Sequence, residues 1–403
     1  MQVTLSTDIN KPIDKLTALV NYTQGTPLSV SVTTFTHIAA GLAANLIKNG
    51  SVAATAVDSA NQRISNLAGI NILTTTPLQI IDPANANITL TPELKYGFLA
   101  GAISLWVKNN APQYTSIAFA QLAYRDIATD GLLNGMGVDS VNSPIPLGLG
   151  TTPVTLNDYR YGIALNLVKM AHDQNNKTGI TANSILSYAQ LIATNTDLIF
   201  NNAATQTLSA PKVSITSYAS NAFIRKTINL TGNISDDIGI TSSELFIDGV
   251  SKGVILNAST PSFAIDTKLY SDGSHNIGIK TTNWGGLTTT TTIPLRVDNT
   301  PPTSTGSYYD SLAPWVRHVS GVVTDVAPVT IMVIGNTSAT QGNQYFNNVN
   351  GTTPDSFGNW QLNITDLNIN WPIVLFKDIV GNCATYAVDN NSGAWILISS
   401  GTC

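Results

Sequence analysis

The chain has 403 residues, enough for about three separately cored domains. Only 11% of them are charged, under half the ~25% usual in soluble domains, and the net charge is −5. This excludes a nucleic-acid partner, which needs a basic stripe to displace phosphate counterions, and no run of about 18 apolar residues is present to span a bilayer.

Residues 1–33 alternate loosely, with Val3 and Leu5, then Leu16, Ala18 and Val20, then Leu28, Val30 and Val32. They read as two or three short strands. Too short to bury a core alone, they are expected to be the tail of an upstream β-module or an arm packed on helices. Met1 leads into Gln-Val-Thr-Leu-Ser, not into a basic region and an apolar core. An exported protein would therefore have lost its targeting segment or be a piece of a longer chain.

From Thr34 the apolar period lengthens from two to nearly four. Thr36 is placed to cap a helix carrying Ile38, Leu42, Leu46 and Ile47, which Asn49-Gly50 closes. Ser51 is placed to cap a second helix with Val52, Ala56, Ala60, Ile64 and Leu67, closing at Gly69. Ala39, Ala40, Gly41, Ala43, Ala44, Ala53 and Ala54 allow close helix approach. Thr91-Pro92-Glu93 opens a third helix, with proline at its first position and an acid in its first turn. A fourth is expected over 114–128, a fifth over 157–172, and a sixth from Thr181. The fold class is thus an all-α bundle over 34–201, preceded by a β arm and followed by β modules.

After a small polar linker, seven strand-like runs fill 211–298, with Asp248-Gly249 and Asp272-Gly273 as tight turns. Val297-Asp298-Asn299-Thr300-Pro301-Pro302 then stops the strand, because a proline pair can neither donate to a ladder nor leave φ near −65°. A less regular set of strands fills 303–403. Here the chain resembles tandem bacterial immunoglobulin-like domains of surface proteins, in which such a join recurs. Asp272-Gly273-Ser274-His275 and Asp378-Ile379-Val380-Gly381-Asn382 are similar to turns before late strands of those modules. The resemblance covers 211–403 and implies two β-sandwiches, in which each set of strands repeats one unit. The helical part, through Val32-Thr33-Thr34-Phe35-Thr36-His37 and residues 126–135, resembles a region beside β-modules in large bacterial lipoproteins.

Few residues suggest chemistry. Asp126, Asp130 and Asn134, spaced around Gly131 and Gly135, offer oxygen ligands for calcium. They lack the EF-hand spacing and its bidentate Glu, and capping of a helix C-terminus by a glycine-rich turn is the plainer reading. Asp236-Asp237 sits in a turn, with Asp248 and Asp266 elsewhere in the same module; cadherin-like repeats hold calcium with acidic residues at module joints, where Asp298 lies, and turn formation is the plainer reading. No other cofactor is expected. Cys383 and Cys403, the two cysteines, either form a disulfide pinning the last strand or stay as separate thiols. Trp284, Tyr308 and Tyr309 lie beside glycines and loops and are candidates for stacking on a sugar ring. Trp360 and Trp395 alternate with apolar neighbours, as core plugs do.

His37, His172, His275 and His318 are scattered, and neither a metalloprotease, nucleophile-elbow nor phosphate-loop motif occurs. The function expected is non-enzymatic: extracellular or cell-surface adhesion or scaffolding, with another surface protein, a glycan or a second copy as partner. The alternatives are a glycan-binding accessory region of a secreted hydrolase, or a filament or surface-layer subunit whose residues 1–33 complete a neighbour's sheet.

Overall fold

The fold comes from a computed structural model, which describes residues 2–6, 15–87, 89–112, 114–133, 136–138, 144–146, 159–197, 206–310, 316–338, 342–365, 369, 371–389, 392 and 394–403. It forms two compact units. One comprises Met1–Lys212 with Ser235–Ser242 and Thr281–Thr289; the other comprises Val213–Ile234, Ser243–Lys280 and Thr290–Cys403.

In the first unit, β1 (Gln2–Ser6) and β2 (Lys15–Leu19) form an antiparallel hairpin. Strand β2 is not a free arm: Ala18 is fully buried, Thr17 N donates to His37 Nδ1 at 3.1 Å, and Asn61 Nδ2 donates to the Leu19 carbonyl at 2.9 Å. The hairpin therefore completes the helical core. Its helices are α1 (Thr34–Lys48), α2 (Ala53–Ala68), α3 (Pro92–Asn110) and α4 (Ser116–Asp130). The short pair β3 (Met136–Val138) and β4 (Pro144–Pro146) comes next, then α5 (Tyr159–His172) and α6 (Ala182–Ala193).

Local chemistry sets the helix ends. Thr33, not Thr36, is the N-cap of α1, and Thr36 returns the bond to complete a capping box. Ser51 does not cap α2, whose N-cap is Val52, a side chain that makes no capping bond. Thr91, Thr115 and Thr181 cap α3, α4 and α6. Ala39, Ala40 and Ala43 are buried, and a Cβ on Gly41 would lie 2.8 Å from the Tyr124 carbonyl, so α1 and α4 meet almost backbone to backbone. Ala53 and Ala54, in contrast, are exposed.

The β half contains β5 (Lys212–Ile215), β6 (Phe223–Ile224), β7 (Thr227–Ser235), β8 (Ile240–Ile247), β9 (Val250–Leu256), β10 (Ser262–Asp266), β11 (Gly273–Asn283) and β12 (Thr288–Val297). After the proline pair come β13 (Thr303–Asp310), β14 (Arg317–Thr324), β15 (Val329–Ser338), β16 (Gly342–Thr352), β17 (Asn359–Ile364), β18 (Pro372–Asp378), β19 (Asn382–Val388) and β20 (Trp395–Thr402).

Two sandwiches result. The first pairs sheet β10-β7-β5 with sheet β6-β12-β11-β8-β9, and the second pairs β13-β14-β17 with β16-β15-β18-β19-β20. Each strand from β7 to β12 has its counterpart seven strands later in the same neighbourhood, so one unit is used twice. The outer place differs: β6 lies parallel to β12, whereas β20 lies antiparallel to β19. Alternation builds the cores, as in β7 and β17, where every second residue is buried. Leu230, Leu245, Phe263, Ile279 and Leu295 fill the first, and Val319, Ile331, Trp360, Ile364 and Phe376 the second. Strand β13 is among the less regular ones, since Thr-Ser-Thr-Gly-Ser-Tyr-Tyr-Asp shows no apolar alternation.

Candidate functional site

The sandwiches meet at the chain between β12 and β13, and side chains fasten that join. Asp298 N donates to the Ile224 carbonyl at 3.0 Å, continuing the β6 pairing. Asn299 N donates to Asp272 Oδ1 at 2.8 Å, and Asn299 Oδ1 accepts from Lys226 N at 3.1 Å and Thr267 Oγ1 at 2.8 Å. From the second sandwich, Asn382 Nδ2 donates to the Asp298 carbonyl at 3.0 Å, while its Oδ1 accepts from Arg225 Nη1 at 2.9 Å.

Three carboxylates converge at this join. Asp298 follows β12, Asp325 opens the turn between β14 and β15, and Asp378 opens the turn between β18 and β19; one oxygen from each lies within 4.8 Å of the others. Asp378 is 2% exposed and well bonded: Oδ1 accepts from Gly381 N at 2.5 Å and Asn382 N at 2.8 Å, and Oδ2 from Asn382 Nδ2 at 2.7 Å. Asp325 Oδ1 accepts from Val326 N at 2.8 Å, whereas its Oδ2 is buried with no partner. Asp298 is fully buried, and apart from the nearby backbone amides of Thr300 and Ala327 its carboxylate oxygens have no hydrogen-bond partner.

Such a group is electrostatically expensive. Two ionised carboxylates at this separation repel by roughly 3 kcal/mol at an effective dielectric of about 20. Burial first, then the charges of Asp378 and Asp272, push Asp298 up to about 6 despite the backbone amides of Thr300 and Ala327. Burial and the Asp298 charge push Asp325 up to about 7. No Lys, Arg or His among the described residues lies within ion-pairing distance of the three. In the matching turn of the first sandwich Asp236 accepts from Ile238 N, Gly239 N and Asn283 Nδ2, whereas Asp237 Oδ1 is buried without a partner and burial raises that carboxyl.

The residues singled out by sequence lie elsewhere. Asp126 is buried within α4, and Asp130 ends that helix with Oδ1 accepting from Leu132 N at 2.8 Å; Asn134 lies outside the described residues. Trp284 is not exposed: it packs on the helical core and stacks on His172 at 3.9 Å, because Gly239 leaves room for its ring. Tyr308 packs against the second sandwich core, since β13 turns that side inward. Tyr309 alone of these aromatics is exposed, and it stacks on His318 at 4.6 Å. Cys383 and Cys403 have Cα atoms 5.5 Å apart, the separation a disulfide needs.

The histidines serve structure. His275 Nδ1 meets Asp248 Oδ2 at 2.6 Å, as in a hydrolytic triad, but its Nε2 is taken by the Ser271 carbonyl at 2.7 Å, so it has no nucleophile to activate. His318 Nδ1 meets Asn363 Oδ1, and His37 is buried, held below the usual imidazole range by that burial.

Residues 211–279 match the bacterial Ig domain. This is a non-catalytic module type. No curated protein matches the chain by sequence. Among solved structures, the endo-β-1,4-mannanase of Thermotoga petrophila is 17% identical over 31% of this chain and 25% of its own, with a TM-score of 0.20. The fibronectin(III)-like modules of Clostridium thermocellum CbhA are 12% identical over 42% of this chain and 87% of theirs, with a TM-score of 0.25. A 1.5-MDa bacterial ice-binding adhesin is 16% identical over 49% of this chain and 65% of that structure, with a TM-score of 0.24. The aligned region therefore spans a quarter of the mannanase. No helix among the described residues is long and apolar enough to cross a membrane.

Proposed function

We propose that this is a non-enzymatic bacterial surface or secreted protein, in which the paired sandwiches act as a stiff spacer and adhesion element in a chain that also carries a helical unit. The observation that carries this reading is the join itself. One sandwich topology is used twice, and the connecting residues are bonded to both copies instead of hanging free. A flexible tether would leave Asn299 and Asn382 to solvent.

The surface suits an extracellular setting, being poor in charge and rich in Thr, Ser and Asn. Edge strands supply the contact chemistry: β9 borders its sheet and exposes Val250, Val254 and Leu256. An open edge can receive a strand from a surface protein or from a second copy. The assembly reading through residues 1–33 is weaker, because β2 is consumed by the helical core.

The test is antibody labelling of intact cells of the producing bacterium, together with attachment of beads coated with the purified chain. Surface labelling and attachment are expected, the latter reduced by charged substitutions at Val254 and Leu256. Confinement to the cytosol with inert beads would sink the reading.

A further inference from the structure

We infer that His37 is an acid-sensitive latch for the β1–β2 hairpin: the neutral imidazole holds the hairpin on the helices, and the protonated one releases it. This goes beyond the adhesion reading and does not rest on it.

One hydrogen bond makes the latch. Thr17 N donates to His37 Nδ1 at 3.1 Å, so that nitrogen is unprotonated when the hairpin is docked. A proton added there turns the acceptor into a second donor and sets two N–H groups against each other. The ring cannot carry its charge into water, since His37 is 4% exposed and stacks on Tyr124 at 4.6 Å. Its place in the first turn of α1 adds to the penalty, because the positive end of the helix dipole disfavours a cation.

The surroundings offer a charged ring little compensation. The ionisable groups of β2 and α4 are Lys15, Tyr124, Arg125, Asp126 and Asp130. Tyr124 faces the imidazole as an uncharged ring, Lys15 and Arg125 are exposed, and neither aspartate is among the groups that shift it. Lys48 lies at the opposite end of α1. Burial holds His37 below 6.5 and outweighs the Gln121 side chain, which favours the charged form. Linkage then fixes the direction. The released histidine titrates near 6.5 and the docked one lower, so the released state binds more protons as pH falls. Docking is at full strength above 6.5 and weakens below it.

The hairpin is the element that yields. Beyond the histidine, it is tied to the helices by Asn61 Nδ2 on the Leu19 carbonyl at 2.9 Å, by Gln121 Nε2 on the Lys15 carbonyl, and by the buried Ala18. Strand β1 belongs to a two-stranded sheet and pairs with β2 alone. The helices share one apolar core, to which the hairpin adds Leu19 at the margin. Losing the hairpin leaves that core filled, which makes release a local opening and not general unfolding. Acid thus turns a docked hairpin into a free two-stranded ribbon with unpaired edges.

The experiment is hydrogen–deuterium exchange of the full chain, read by mass spectrometry at pH ~7.5 and ~5 and corrected for intrinsic rates. Peptides covering β1 and β2 should exchange about tenfold or more faster at the lower pH, while those of α1 and α4 stay protected. His37→Asn keeps an oxygen that can accept from Thr17 N but does not titrate, so its hairpin should be protected equally at both pH values. If that variant does not fold, the wild-type chain decides. Its His37 ring, followed by NMR and assigned by replacing the other histidines, should titrate below 6.5 and in step with hairpin exchange. Equal hairpin protection at both pH values in the wild type would overturn the latch. So would acid release that persists in His37→Asn, loss of protection throughout the helices at the same pH, or a ring that titrates above 6.5.

Discussion

At the scale of single residues, the best-defined charge pair is His275 with Asp248. Burial alone would lower His275, but the Asp248 carboxylate and the Ser271 carbonyl outweigh it and raise the imidazole above 6.5. Asp248 is held below 3.8, chiefly by the hydrogen bond from His275. The signs follow from linkage. The raised histidine contributes stability fully present below 6.5 and lost as pH rises through its folded value. The depressed carboxylate contributes above 3.8 and loses its share as pH falls through its own. The pair is therefore strongest between those limits. Asp248 is half exposed, so the gain stays below about 1 kcal/mol. Urea unfolding of His275→Asn should show a larger loss against wild type at pH ~5 than at pH ~9. An equal loss at both would show that packing, not charge, holds the turn. None of this was legible beyond the Asp-Gly turns. Of the acidic group at the join only Asp298 stood out, by its place before the proline pair; Asp325 and Asp378 are far from it in sequence and look like ordinary turn residues.

Among elements, helices were easier to read than strands for a physical reason. Caps and a 3.6-residue apolar stripe are local, so Thr91-Pro92-Glu93 announces α3 by itself. Strand β13 depends on distant partners: Gly306 has no side chain because Trp395 lies against it, where a Cβ would be 2.8 Å from the ring. Trp284 misleads similarly, its neighbouring glycines marking close packing instead of an open loop. Close packing also governs Gly97 in α3, where a Cβ would come within 2.0 Å of the Leu78 carbonyl oxygen. Alanine normally favours a helix over glycine by about 1 kcal/mol. Here Gly97→Ala should instead destabilise the helical unit by roughly 2 kcal/mol or more, since a backbone oxygen cannot move aside cheaply. Denaturation followed by circular dichroism at ~222 nm measures this, and a variant as stable as wild type would refute the packing argument. The C-terminal strand offers a second case. A disulfide between Cys383 and Cys403, 20 residues apart, should contribute about 3 kcal/mol through loop closure. Thiol titration of the unfolded, unreduced chain should then find no free thiol, and reduction should lower the melting temperature; two reactive thiols would exclude the bridge.

Across the β half as a whole, two sandwich cores with separate apolar contents share one small polar join. Its centre is Asn382, which is 4% exposed and uses its amide on three groups at once: the Asp298 carbonyl, Asp378 Oδ2 and Arg225. The side chain thus couples elements from both modules, whereas each core is filled by its own strands and does not need it. Asn382→Ala should leave both cores filled and yet strip the buried Asp378 of one donor and the Asp298 carbonyl of its partner. An unsatisfied buried group costs about 1–3 kcal/mol, so the variant should lose roughly that amount. The loss should appear as uncoupling: sandwich unfolding that is cooperative in the wild type should split into two calorimetric transitions, and the spread of dimensions seen by X-ray scattering should widen. A single transition with unchanged dimensions would mean that the proline pair alone sets the geometry, because its fixed φ angles survive the substitution.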